Sequence, residues 1–208
     1  MFSHRIYTDM LRGKLAVVIR GADKEEAVRT AEACYAGGIR LLEMAFTNPD
    51  APDIIREVKR RFPKAVVGAG TVLDSETAAQ AVAAGAQFIV SPSFQEASAR
   101  FCHRYDIPYL PGCMTIQEMV TAMEHGVKVV KLFPGSAFTP DFIKNVKQPL
   151  PQVSIMPTGG ITLENVNDWF AAGAVLAGVG GDITRGAGDG DFAAVRTKAE
   201  AFVKQVHG

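Results

Sequence analysis

The chain has 208 residues, with 22 lysines and arginines against 22 aspartates and glutamates, and is 48% hydrophobic and 21% charged. That length holds one large core and is short for two domains, the balance is that of a soluble globular protein, and no basic run or stripe offers a nucleic-acid surface. No apolar run approaches the roughly 20 residues of a membrane helix, the opening MFSHRIYTDMLRGK lacks a signal-peptide core, and the scattered Cys34, Cys102 and Cys113 fit reduced thiols in a cytoplasm.

In chain order, residues 2–13 read as a short amphipathic helix whose apolar positions are Ile6, Met10 and Leu11. LAVVIR (15–20) is a β-branched strand, followed by a helix over 23–37 with Asp23 as N-cap, Glu26 three residues on, and Gly37-Gly38 as its stop. IRLLEMAF (39–46), AVVGAG (65–70), QFIVSPS (87–93), IPYLPG (107–112), VKVVKLF (127–133), VSIMPTGG (153–160) and VLAGVGG (175–181) are the later strands. Helices at about 50–62, 75–84, 95–105, 115–125, 139–146, 162–172 and 190–206 separate or follow them. Eight strands, each with its helix and with no linker between units, predict parallel strands closed into a (β/α)8 TIM barrel, one domain over 1–208 with a short N-terminal helix. An open doubly wound sheet would usually carry a dinucleotide fingerprint after the first strand, and VVIRGADKEEA has none.

The unusual residues collect at or just past the strands' C-terminal ends, the catalytic face of such a barrel: Arg20, Glu43, Gly70-Thr71, Pro92, Lys131, Thr158-Gly159-Gly160 and Gly180-Gly181. Lys131 stands among Val129, Val130, Leu132 and Phe133, and side-chain alternation puts it on one face with Val127, Val129 and Phe133. Taken alone, it could be a strand-end lysine whose amine reaches solvent. Glu43, between Leu42 and Met44, is a second charge in a strand fit for burial, and a buried acid and amine near one barrel mouth read as partners.

Desolvation disfavours an ammonium, and catalytic lysines reach pKa ≈ 7–8. At ~7.5 about a quarter of the molecules carry a neutral amine, against ~1 in 2,500 at the ordinary 10.4. A neutral amine attacks a ketone to give a Schiff base, whose cationic nitrogen draws in the electrons released when a carbon–carbon bond breaks. An acid/base must then move protons, and Glu43 is the candidate; a structural ion pair with Lys131 or Arg20 is its bland alternative. No metal is expected, since His4, His103, His125 and His207 lie in helices or tails. The glycine pairs after the seventh and eighth strands are either plain tight turns or backbone donors for a substrate anion.

LLEMAFTNPDA, VVGAGTV, FIVSPS, YLPGCMT, VVKLFPGSAF, MPTGGIT and GVGG follow one another over nearly the whole chain. Together they resemble the class I 2-keto-3-deoxy-6-phosphogluconate aldolase / 4-hydroxy-2-oxoglutarate aldolase family. The resemblance implies Lys131 as the Schiff-base residue and Glu43 as the proton shuttle. It implies Thr71 and Arg20 at the keto-acid carboxylate, Pro92 and Phe133 shaping the pocket, a homotrimer in the cytoplasm, a small 2-keto acid substrate that is phosphorylated, and no cofactor. Well-known members carry arginine where this chain has Thr47, although a Glu-x-x-Phe-Thr version is also familiar, so that arginine's anion contact either passes to another group such as Arg20 or is lost. Serine often follows the last glycine pair, and here it is Asp182, expected to cap a short helix. An aldolase for 2-keto-3-deoxy-6-phosphogalactonate, an oxaloacetate decarboxylase and a non-catalytic phosphometabolite-binding barrel remain as alternatives.

Overall fold

A computed structural model describes residues 2–208. Eight parallel strands, β1 (Leu15–Ile19), β2 (Leu41–Ala45), β3 (Val66–Gly70), β4 (Ile89–Ser91), β5 (Tyr109–Cys113), β6 (Val130–Leu132), β7 (Ile155–Pro157) and β8 (Ala177–Val179), pair in sequence order, and β8 returns to β1. A bridge between Thr158 and Gly178 joins β7 to β8 and closes the barrel. Helices α2 (Lys24–Ala36), α3 (Ala51–Arg61), α4 (Ser75–Ala84), α5 (Glu96–Arg104), α6 (Ile116–Glu124), α7 (Pro140–Lys147) and α8 (Val166–Ala171) follow the first seven strands. A four-residue turn of helix, α9 (Gly181–Thr184), and the long α10 (Phe192–His207) follow the eighth.

Local chemistry sets these boundaries. The Asp23 side chain accepts from Glu26 N–H at 2.8 Å, Asp74 does the same for Thr77, and Thr115 with Glu118 forms a reciprocal capping box. Most predicted strands overrun the ladders, at their first residues and, for several, at the last residues that form the mouth, whereas β5 runs one residue past its expected end to Cys113. Val127 departs from the expected face: its N–H bonds Ala122 O, and its side chain joins the core between sheet and helices. Period-two alternation in β6 therefore begins only at Val129.

Two cores result. The larger lies between strands and helices. The smaller fills the barrel with Ala16, Leu41, Val66, Phe88, Val90, Leu110, Val129, Met156 and Leu176. Helix α1 (Phe2–Gly13) stops the bottom of the barrel with Ile6 and Met10, while Leu11, expected to be apolar-facing, is 47% exposed. With the lower barrel packed solid, an interior polar group has one way out, through the mouth.

Candidate active site

Above this apolar plug the interior turns polar. Glu43 stands on the inward face of β2, opposite Val18 on β1 and Gly68 on β3. Lys131 stands on β6, between Gly112 on β5 and Met156 on β7. In an eight-stranded barrel β2 and β6 lie half a turn apart, so the two side chains face each other across the lumen. Lys131 is 5% exposed and Glu43 is 1% exposed. Neither Glu43 oxygen has a hydrogen-bond partner among the described residues, so the bland alternative of a directly bonded structural ion pair is absent.

Burial pushes the Glu43 carboxyl above the usual carboxylate range, against the opposing pull of the Lys131 and Arg20 charges. Burial likewise pushes the Lys131 ammonium down, with the Glu43 charge resisting and Arg20 assisting. The Lys131 amine lies 4.6 Å from the centre of the Phe133 ring. Room for the carboxylate comes from β3: a Cβ on Gly70 would stand 2.0 Å from Glu43 Oε1.

Both groups open into a cavity of about 430 Å³ at the barrel mouth, within the usual range for a small-molecule site. Every expected site residue lines it: Arg20, Glu43, Thr47, Thr71, Pro92, Lys131, Phe133, Thr158, Gly159, Gly160, Gly180 and Gly181. Thr71 takes a left-handed backbone at φ +59°, unusual for a β-branched residue and a sign of a position held by its surroundings. The buried Thr158 Oγ1 has no hydrogen-bond partner among the described residues. Gly159 and Gly160 both sit at positive φ, +90° and +75°, so the turn after β7 demands glycine there whatever else it does.

The loops are tied together from behind. Asn48 donates to the carbonyls of Arg20 and Gly21 and accepts from Asp50 N–H, clamping the β1 turn to the β2 loop. Ser91, Tyr109 and the Ser93 carbonyl form a buried hydroxyl network under Pro92. Asn165 spans the β7 loop from Thr162 N–H to Gly160 O.

Asp182 differs from expectation. Gly180 holds the N-cap position of α9, and Asp182 lies inside the turn, accepting from Leu163 N–H at 3.1 Å and pairing with Lys198 at 3.3 Å. It fastens the β8 loop to the β7 loop and to α10 rather than capping its own helix. Val18, Ile161, Thr162 and Arg185 also line the cavity and were not anticipated. For Arg185 the available signal was a charge four residues past the last glycine pair, masked by Asp182 and Asp189 three residues before and four after it.

A family model described as Aldolase: KDPG and KHG aldolase matches residues 6–197. The KHG/KDPG aldolase of Escherichia coli K12 is 38% identical over 170 residues, 81% of this chain and 79% of that protein. The 2-dehydro-3-deoxy-6-phosphogalactonate aldolase of the same organism is 34% identical over 192 residues, 91% of this chain and 93% of that protein. The solved structure of KDPG aldolase from Legionella pneumophila, with pyruvate captured at low pH as a covalent carbinolamine intermediate, has a TM-score of 0.85 and 28% identity, covering 91% of this chain and 93% of that one.

Proposed function

Because the chain belongs to the KDPG and KHG aldolase family, we propose that Lys131 and Glu43 carry that family's reaction here. The protein is a carbon–carbon lyase, a Schiff-base aldolase that cleaves 2-keto-3-deoxy-6-phosphogluconate to pyruvate and glyceraldehyde 3-phosphate, or 4-hydroxy-2-oxoglutarate to pyruvate and glyoxylate. The observation that carries the reading is a buried amine and a buried, unpartnered carboxylate facing one cavity from opposite strands.

The neutral Lys131 amine adds to the C2 ketone, and loss of water leaves an iminium. Glu43 takes the proton of the C4 hydroxyl as the C3–C4 bond breaks, the electron pair passes to the nitrogen as an enamine, and the aldehyde leaves. Protonation of C3 by the same carboxyl and hydrolysis of the iminium release pyruvate. A raised carboxyl and a lowered ammonium suit these exchanges, since the carboxylate becomes a better proton acceptor and the ammonium gives up its proton more readily.

Arg20 and Thr71 hold the keto-acid carboxylate, Pro92 and Phe133 wall the pyruvyl part, and Thr47 offers a hydroxyl in place of a cation. Thr158 Oγ1, unpartnered on the protein side, takes a substrate hydroxyl, and the N–H groups of Gly159, Gly160, Gly180 and Gly181 take the phosphate. The galactonate epimer is the second reading, favoured by a relative that covers 91% of this chain. A non-catalytic barrel would leave the cost of burying Lys131 and Glu43 without a return.

Exposed Leu73 and Met114 on the loops after β3 and β5, with exposed Ile116 at the start of α6, support assembly into a homotrimer. Three buried free thiols suit a reducing cytoplasm. The test of function is a substrate panel read by pyruvate release. One of the two phosphorylated epimers or hydroxyoxoglutarate should lead in kcat/KM, and no pyruvate from any of them would overturn the reading.

A further inference from the structure

Five charged side chains line the cavity: Arg20, Glu43, Lys131, Asp182 and Arg185. Glu43 and Lys131 together sum to zero near neutrality, whether the proton sits on one or the other. Asp182 is neutralised by Lys198 at 3.3 Å, and the same carboxylate oxygen accepts from Leu163 N–H at 3.1 Å. Two guanidiniums remain, and the ion pairs among the described residues leave both Arg20 and Arg185 out. An unpaired charge of +2 in one cavity fits a substrate with two anionic ends.

The two arginines stand at different depths. Arg20 perturbs both Glu43 and Lys131, and its Nη1 lies 3.3 Å from where a Gly180 Cβ would be. Arg185, exposed and at the end of α9 beyond the last glycine pair, lines the outer end of the cavity. Its backbone is fixed there, with its N–H on Gly181 O closing α9, while its side chain is free and exposed.

We propose that Arg185 is a specificity-determining residue that selects substrates carrying a terminal phosphate, a role that rests on the aldolase reading above. Its fork of donors matches a phosphate and adds charge where the glycine N–H groups offer only dipoles. Asp182, held away by Lys198 and Leu163, leaves that guanidinium unopposed.

The test is Arg185→Gln with three substrates: 2-keto-3-deoxy-6-phosphogluconate, its unphosphorylated counterpart, and 4-hydroxy-2-oxoglutarate. Expected is a fall of about 10- to 100-fold in kcat/KM for the phosphorylated substrate, mostly through KM, with the other two within about twofold. Arg185→Lys, which keeps the charge but not the fork, should recover part of the loss. Borohydride trapping of pyruvate on the wild type and on each variant checks the aldolase reading separately and confirms that the variants fold. No trapping in the wild type would remove that reading and this proposal with it. Normal trapping with an unchanged phosphorylated substrate, or with equal losses on all three substrates, would overturn the Arg185 assignment alone.

Discussion

A carboxylate with no hydrogen-bond partner is costly to keep inside a barrel, because folding strips its water and returns nothing. Glu43 is such a group, and Lys131 across the lumen is its counterpart. Both were legible in the sequence for one reason: each is a charge in a stretch whose neighbours have no business near water. If Glu43 moves protons while Lys131 holds the substrate, their roles separate on mutation. Glu43→Gln should still form the pyruvate adduct, and exchange of the pyruvate methyl protons followed by NMR should slow by about 10²–10⁴-fold. Exchange at the wild-type rate would take the shuttle role from Glu43. The pH profile follows from the same pair. With the carboxyl raised and the ammonium lowered by burial, kcat/KM should fall towards acid as the pair takes up its second proton. It should fall towards alkali as the pair loses its last, and the two limbs belong to the pair rather than to either residue.

At the scale of elements, the strands position the reacting groups and the loops after β7 and β8 position what lies beyond them. Asp182 joins those two loops, and its place was not legible: capping preference points to a local bond, whereas the partners Leu163 and Lys198 arrive only when β7, β8 and α10 come together. Asp182→Ala should orphan the Leu163 N–H and lower stability by about 1.5–3 kcal/mol in urea unfolding, the range for a hydrogen bond to an ionised acceptor. Lys198, about a third exposed, adds little to that figure. The preference for phosphorylated over unphosphorylated substrate should change by less than about twofold; a tenfold gain confined to the phosphorylated substrate would show that Asp182 faces the anion after all. Val127 carries a related lesson. Alternation extrapolated through VKVVKLF places it inside the barrel, but the turn leaving α6 claims its backbone and sets it on the other side.

For the whole molecule, the regular succession of strand and helix with turn residues after each strand was enough to read the barrel, because each unit repeats the same local signals. Assembly was not readable in that way, since a surface shared between copies has no period. The exposed Leu73, Met114 and Ile116 flank the β4 loop that bears Pro92, so an interface there would brace the mouth. Light scattering should give the mass of a trimer, and Ile116→Asp should shift it towards monomer; an unchanged trimer would move the interface elsewhere. All of this hangs on one bond, between the Lys131 nitrogen and the carbonyl carbon of a keto acid. Incubation with pyruvate and borohydride followed by peptide mass analysis tests it directly. One reduced pyruvyl group should appear on the peptide containing Lys131, and none in Lys131→Ala. Label on a different lysine, or no label on a protein that still releases pyruvate, would contradict it.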